Sequence, residues 1–411
     1  MSQNEVLSIE SSNAMKSSKS AHEDFHHIYE EKGWEEQCMD WDQTMEIVEV
    51  DQQKINDIRG GLNEWECVAH DDKVTFHHLP TDCHYNPTDH ALKNICAVSN
   101  MSTWAAINLR ETMVAKTKKG EDYTRGRADY EVLRDYINVH LFNGDRQDQQ
   151  KERLFRTWRS DDAGEGTLRA LLSNKYCIIN NKWFLNAVRE MIPKGLICHW
   201  KGNADTLFAN VLIPDTMREE QDSDFGGMIS IGNSEIGLRR ISSLPSIFRA
   251  ICMNGCIWDQ KEGKAVSKVH RGQIDLVELR LKIQENLQAQ IPLLNDGIDK
   301  LVELRFLKMN DVPIDNIFAQ TAIENSLSKP EVSLIRNGYL TEEQILGEEV
   351  RTSYGLANAI TRAGQELSPE RWVQFDMIAG TMVRAGEARW ESFLKTARNL
   401  TDEQIEKRIA V

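Results

Sequence analysis

Four short apolar runs, GLICHW, TLFANVLIP, GGMISIGN and FRAICMNGCIW, follow one another between Gly195 and Trp258. Gly, Pro, Asn and Asp bound them, and these are the residues that turn a chain. No helical crossover separates consecutive runs, and a parallel pair of strands needs one. The stretch therefore predicts an antiparallel sheet rather than a doubly wound one. From Gln273 the pattern changes. Leu276, Leu279, Ile283, Leu287, Ile291, Leu294, Ile298 and Leu301 recur every three or four residues, which is one face of a helix. Pro292 should kink or divide that helix, because it lacks an N–H and crowds the preceding turn. The expected fold class is α+β: a largely antiparallel sheet with flanking helices in residues 58–272, followed by a helical C-terminal region, 273–411.

Other segments fill in this outline. EWECVAH and KVTFHHLP flank Asp71-Asp72 and read as a hairpin. Residues 86–101 read as a turn followed by an apolar stretch. Residues 103–160 look helical, and KERLFRTWRS would set Arg153, Arg156 and Arg159 on one helix face. TLRALLSNKYCIINN reads as a basic strand and WFLNAVREMI as an amphipathic helix. Thr341 with Gln344 and Thr401 with Gln404 fit the capping box, and Ser368-Pro369 places an N-cap before a first-turn proline. Residues 1–57 are expected to be an acidic, largely disordered segment, with sparse apolar positions after residue 25 that suit short helices.

Charge is unevenly spread along the 411 residues. Residues 1–104 hold 7 Lys+Arg against 20 Asp+Glu, residues 105–196 hold 17 against 13, and the whole chain is −15. Between Leu238 and Lys282, 9 basic residues face 4 acidic ones. The total excludes a general histone-like coat of DNA, but phosphate contact is local and rewards clustering. No apolar run reaches the ~18 residues of a membrane span. The polar N-terminus carries no signal-peptide core, so a cytoplasmic location is expected, that of the host cell for a phage product. Eight cysteines in such a chain read as reduced thiols.

Motifs for catalysis are sparse. His22-Glu23-Asp24-Phe25-His26 matches the zinc-protease pattern, but it lies in a Ser-rich, acidic stretch without an apolar face or a third ligand. Cys67, His70, Cys83 and His84 are weak candidates for a tetrahedral zinc, the only cofactor the sequence suggests; adjacent Cys83-His84 makes one rigid turn a poor bidentate ligand. Cys252 and Cys256 read as buried strand residues. No Gly-rich phosphate loop and no nucleophile elbow is present, so an enzyme is unsupported.

The basic residues form the best constellation. Arg153, Arg156, Arg159, Arg169, Lys175, Arg239, Arg240, Arg249, His270 and Arg271 would line a groove for a phosphate backbone, with Trp158, Tyr176 or Trp258 offering stacking surfaces. The plain alternative is that these arginines pair with carboxylates inside the fold.

Several segments occur in a familiar order: IRGGLNEWECVAHDD (58–72), GTLRALLSNKYCIINN (166–181), IGNSEIGLRRISSLPSIFRAICMNGCI (231–257), VHRGQI (269–274) and SYGLANAITRAG (353–364). Together they resemble the phage/plasmid-like protein family, a domain of unknown function in phages, prophages and plasmids. The acidic, His-rich N-terminus departs from that pattern. The resemblance implies a mobile-element setting and no mechanism. Combined with the basic middle region, it leads to an expected nucleic-acid-handling protein, single-strand binding or annealing in recombination or replication, self-associating through apolar helix faces. Two rivals are an acidic module that binds a host restriction or defence protein through the N-terminal segment, and a metal-dependent nuclease.

Overall fold

The computed structural model describes residues 38–98, 101–110, 113–116, 122–126, 128–143, 150–159, 165–200, 205–220, 223–250, 254–257, 266–268, 270–272, 274–309 and 311–409. The His22–His26 motif, Cys252 and Trp258 lie outside these residues, as does most of the segment expected to be disordered. Within that segment residues Trp41–Lys54 form helix α1, started by an Asp40–Gln43 capping box.

The protein is α+β. A first, mixed sheet has strand order β1-β7-β8-β4-β3-β2, with β1 Ile58–Gly60, β2 Trp65–Ala69, β3 Val74–His78, β4 Cys83–Pro87, β7 Arg153–Arg159 and β8 Glu165–Ser173. Only β4 and β8 run parallel; β2 and β3 form the hairpin around Asp71-Asp72. Helices α2 (Asp89–Val98), α3 (Thr103–Arg110) and α4 (Tyr130–Asn143) cover one face, where Trp65, Phe76, Tyr85 and Phe155 meet Leu92, Ile95, Leu133 and Ile137. A two-stranded ribbon, β5 (Met113–Lys116) with β6 (Asp122–Gly126), lies between α3 and α4 in sequence. KERLFRTWRS is thus β7 rather than the expected helix. Leu154, Phe155, Arg156 and Thr157 are all buried, so a strand covered on both faces carries no alternation to reveal it.

The second sheet is antiparallel throughout, order β13-β12-β11-β10-β9, with β14 also on β12. Its strands are β9 Leu196–Trp200, β10 Thr206–Glu220, β11 Ser223–Ser234, β12 Ile241–Arg249, β13 Asn254–Ile257 and β14 Val266–Lys268. Alternation sends Leu207, Ala209, Val211 and Ile213 to one face, against α1, α5 (Asn181–Arg189) and α6 (Leu276–Gln290). Phe225 and Ile247 join the core of the C-terminal helices. Those helices are α7 (Leu293–Glu303), α8 (Ile314–Asn325), α9 (Lys329–Leu346), α10 (Ser353–Gln365), α11 (Pro369–Arg398) and α12 (Asp402–Arg408).

Pro292 separates α6 from α7; Leu279, Ile283, Leu287, Leu294, Ile298 and Leu301 are buried as their spacing predicts, whereas Ile291 is half-buried and Leu276, at the start of α6, is exposed. Ser368 and Thr401 cap their helices. Thr341 does not start a helix; it lies inside α9, whose capping box is Ser328 with Glu331. Within α11 the chain turns at Gly386, where φ is +65°, a conformation that costs a residue with a Cβ. No helix among the described residues is long and apolar enough to cross a membrane.

Candidate nucleic-acid interface

The two sheets meet at a cluster of buried charge. Arg156 is on β7, and its strand pairs Arg156 with Ala170 and Thr157 with Leu168, leaving Arg169 as the extra residue of a bulge. Both guanidiniums turn to Glu235, in the turn after β11. Arg156 Nη2 donates to Glu235 Oε2 at 3.2 Å, and Arg169 Nη1 and Nη2 donate to the same oxygen at 3.3 Å. Glu235 Oε1 accepts from the backbone N–H of Asn181 at 2.8 Å, at the positive N-terminal end of α5. Asp57 pairs with Arg156 at 3.0 Å, and Arg169 Nε donates to Asp205 at 2.7 Å. Arg169 also lies over the Trp158 ring, 4.6 Å from its centroid. Burial lowers the basicity of Arg156, an effect that Asp57 and Glu235 partly offset. Burial likewise holds the Asp57 carboxyl above its ordinary range in spite of the arginines beside it.

A second buried group ties the second sheet to the C-terminal helices. Arg249, at the end of β12, donates to Glu342 Oε2 of α9 at 2.6 Å. Arg362 of α10 donates to Glu342 Oε1 through Nε (2.9 Å) and Nη2 (2.7 Å).

These positions correct much of the sequence reading. Arg156, Arg169 and Arg249 are 0%, 1% and 1% exposed and neutralise carboxylates, so no phosphate reaches them. His270 is also buried, stacked on Tyr176 with ring centroids 5.2 Å apart and its Nδ1 3.2 Å from the Cys177 carbonyl oxygen. Burial lowers the His270 pKa, favouring the neutral ring. The plain alternative, arginines consumed by internal acids, holds for these residues. Neither proposed stacking surface within the described residues is open: Trp158 lies under Arg169, and Tyr176 is covered by His270 and donates its hydroxyl to Ser234 O at 3.0 Å.

The remaining cations divide by place. Arg153, at the start of β7, pairs with Ser173, the last residue of β8. The turn that follows carries Lys175 and leads to Tyr176, which bridges to Arg271; Gly272 N–H donates to Lys175 O at 2.9 Å. The turn 235–240 packs on the same tyrosine, since a Cβ at Gly237 would meet Tyr176 at 3.4 Å, and it ends in Arg239 and Arg240. Arg239 lies over Phe208, 5.3 Å from the ring centroid, whereas Arg240 is exposed. From the chain spacing, the backbones of Arg153, Lys175, Arg240 and Arg271 fall within about 20 Å of one another. Among the described residues none of these four ion-pairs with a carboxylate. Arg159 is not part of this rim. It sits at the other end of β7, about 20 Å away at strand rise, against Asn56. Sequence reading passed over Arg59, which is exposed on edge strand β1 opposite Leu154; it lies in the acidic N-terminal third, where no basic cluster announces it.

The zinc candidates are not brought together. Cys67 is buried with Phe76 and Tyr85 on the helix-covered face of the first sheet, and burial pushes its thiol up to about 12. Cys83 belongs to the same face, its thiol donating to Thr81 O at 3.4 Å. His70 and His84 emerge on the opposite face, each at Thr75 Oγ1, at 3.0 and 3.2 Å. A β-strand alternates its side chains, so Cys67 and His84 cannot share one tetrahedral ion. Among the described residues no group of three or more His, Cys, Asp or Glu side chains converges as a metal site.

Comparison of the chain with protein-family models, with curated proteins and with solved structures finds no match.

Proposed function

We propose that this chain is a phage- or plasmid-encoded nucleic-acid-handling protein that holds a phosphate backbone and performs no catalysis of its own. The observation that carries the reading is the rim around Tyr176: Arg153, Lys175, Arg240 and Arg271 gathered by backbone contacts, without carboxylate partners among the described residues. Four cations within about 20 Å can neutralise up to about four phosphates of one strand. The Arg156–Glu235–Arg169 cluster below the rim serves to fix the turns that present it. Single-strand binding or annealing in recombination or replication is the finer form, because a flexible strand follows a rim built from three chain segments. With Trp158 and Tyr176 engaged internally, contact runs through phosphates rather than stacked bases. Self-association belongs to the same reading and is supported by Val277 and Leu281, exposed one turn apart on α6.

The acidic module has less support from the described part of its segment. Asp42 and Glu49 of α1 pair with Arg189 and Lys182 of α5. The test is anisotropy of labelled single-stranded DNA, duplex DNA and RNA titrated with the full chain. Four phosphate contacts on a single strand predict an affinity that falls about 50-fold between about 50 and about 200 mM salt. Absence of binding to all three at low salt overturns the proposal.

A further inference from the structure

The chain ahead of α1 is held against the second sheet by one antiparallel bridge. Met39 N–H donates to Ile197 O at 3.0 Å and Ile197 N–H to Met39 O at 2.8 Å. In that register Cys38 stands opposite Cys198 as a non-hydrogen-bonded pair, where Cα atoms approach to about 4.5 Å. Disulfides span Cα separations of about 4.4–6.8 Å, so the backbone already meets that requirement. The two sulfurs are 2.6 Å apart, although 160 positions separate the residues in sequence. Cys38 is partly exposed and Cys198 is buried, and both are free thiols.

We propose that Cys38 and Cys198 are a reversible disulfide site, a covalent strap that fastens the segment ahead of α1 to edge strand β9. The oxidant is a small-molecule disulfide. The Cys38 thiolate attacks one of its sulfurs, the oxidant's sulfur–sulfur bond breaks, and the first small thiol leaves with the proton Cys38 gave up. Cys198 then attacks the Cys38 sulfur and displaces the second small thiol, which takes the Cys198 proton. One disulfide is consumed and one is formed, with two electrons passing from the protein sulfurs to the oxidant. Access sets the order of attack, and burial, which pushes the Cys198 thiol well above its ordinary range, suits it to the resolving step. The expectation of reduced thiols in a cytoplasm is compatible with such a pair, since cytosolic disulfides are transient. Once formed, the bond keeps the β9 edge covered when the two bridge hydrogen bonds open.

The experiment treats the full, reduced chain with oxidised glutathione and counts thiols. The expected result is loss of two of the eight cysteine thiols, a mass about 2 Da lower, and one cross-linked peptide joining Cys38 to Cys198, all reversed by dithiothreitol. Amide exchange at Met39 and Ile197 should slow about tenfold or more on oxidation. In Cys198→Ser the reaction should stop at a glutathione adduct on Cys38. A stable glutathione adduct on the unsubstituted chain, a link from Cys38 to any other cysteine, or no loss of thiols overturns the proposal.

Discussion

Replacing Glu342 by Gln removes the one negative charge that Arg249 and Arg362 share. Glu342 is 0% exposed and accepts three charged N–H···O bonds, of 2.6, 2.9 and 2.7 Å, from guanidiniums that are themselves almost entirely buried. The amide keeps the shape but withdraws the negative charge that both buried guanidiniums face at this position. Removing one partner of a buried pair costs about 3–5 kcal/mol, a factor of roughly 100 to several thousand in the unfolding equilibrium. Because the three residues come from β12, α9 and α10, the loss should appear as separation of the C-terminal helices from the second sheet. Equilibrium urea unfolding followed by tryptophan fluorescence reads it, since Trp372 packs at that junction against Phe208. Replacing all three residues together with apolar ones of similar volume should recover most of the loss. The same charge sets a pH dependence. Burial alone raises the Glu342 carboxyl, but Arg249 and Arg362 overcome that and hold it below its ordinary value of 4.5. Its contribution is therefore complete above the unfolded-state pKa and disappears as pH falls through the folded-state one. A loss below about 1 kcal/mol in Glu342→Gln would refute the reasoning, because the pair would then be no better than a solvated surface contact.

Two further perturbations follow from the same helical layer. Gly338→Ala places a Cβ 2.7 Å from the Ala359 carbonyl oxygen, where α9 crosses α10; stability should fall by about 1–3 kcal/mol in the same urea assay, and a neutral result would mean the helices are not so close. Glu331 is held at about 2, chiefly by the Arg371 side chain and also by Ser328. Its stabilisation should be intact above about pH 4.5 and lost as pH falls toward 2, a trend that Glu331→Gln removes; an unchanged acid profile in that variant would contradict the assignment.

The second sheet was legible as short apolar runs bounded by Gly, Pro, Asn and Asp, and the long apolar stripe because a helix that buries one face writes its period into the chain. Pro292, Ser368 and Thr401 were legible for a more local reason, since backbone chemistry at a break or cap depends on two or three neighbouring residues. Strand β7 was not, because both its faces are covered and Arg153, Arg156 and Arg159 fall by coincidence at helical spacing. The fate of the arginines was illegible for a different reason. The carboxylates that neutralise Arg156 and Arg249 lie 79 and 93 positions away, a distance at which residue type says nothing about contact. For the same reason sequence joined interior and surface cations into one groove. Burial separates them: Lys175, Arg240 and Arg271 are exposed, whereas Arg153 is half-buried at the start of β7. Cys67 and His84 failed as joint ligands on strand alternation, which sequence does contain but which bears on a site only once the register is known.

The central claim is that phosphate contact resides in the rim and not in the buried arginines, and the salt dependence of binding tests it most directly. For a single strand, log K against log salt should have a slope of about −3 with the unsubstituted chain, at roughly −0.7 per phosphate neutralised. Replacing Arg153, Lys175, Arg240 and Arg271 together by Gln should bring the slope close to zero. Because the exposed cations among them hold no ion pair, stability should change by no more than about 0.5 kcal/mol for each. A slope that stays near −3 in the quadruple variant, with its fold intact, would contradict the account.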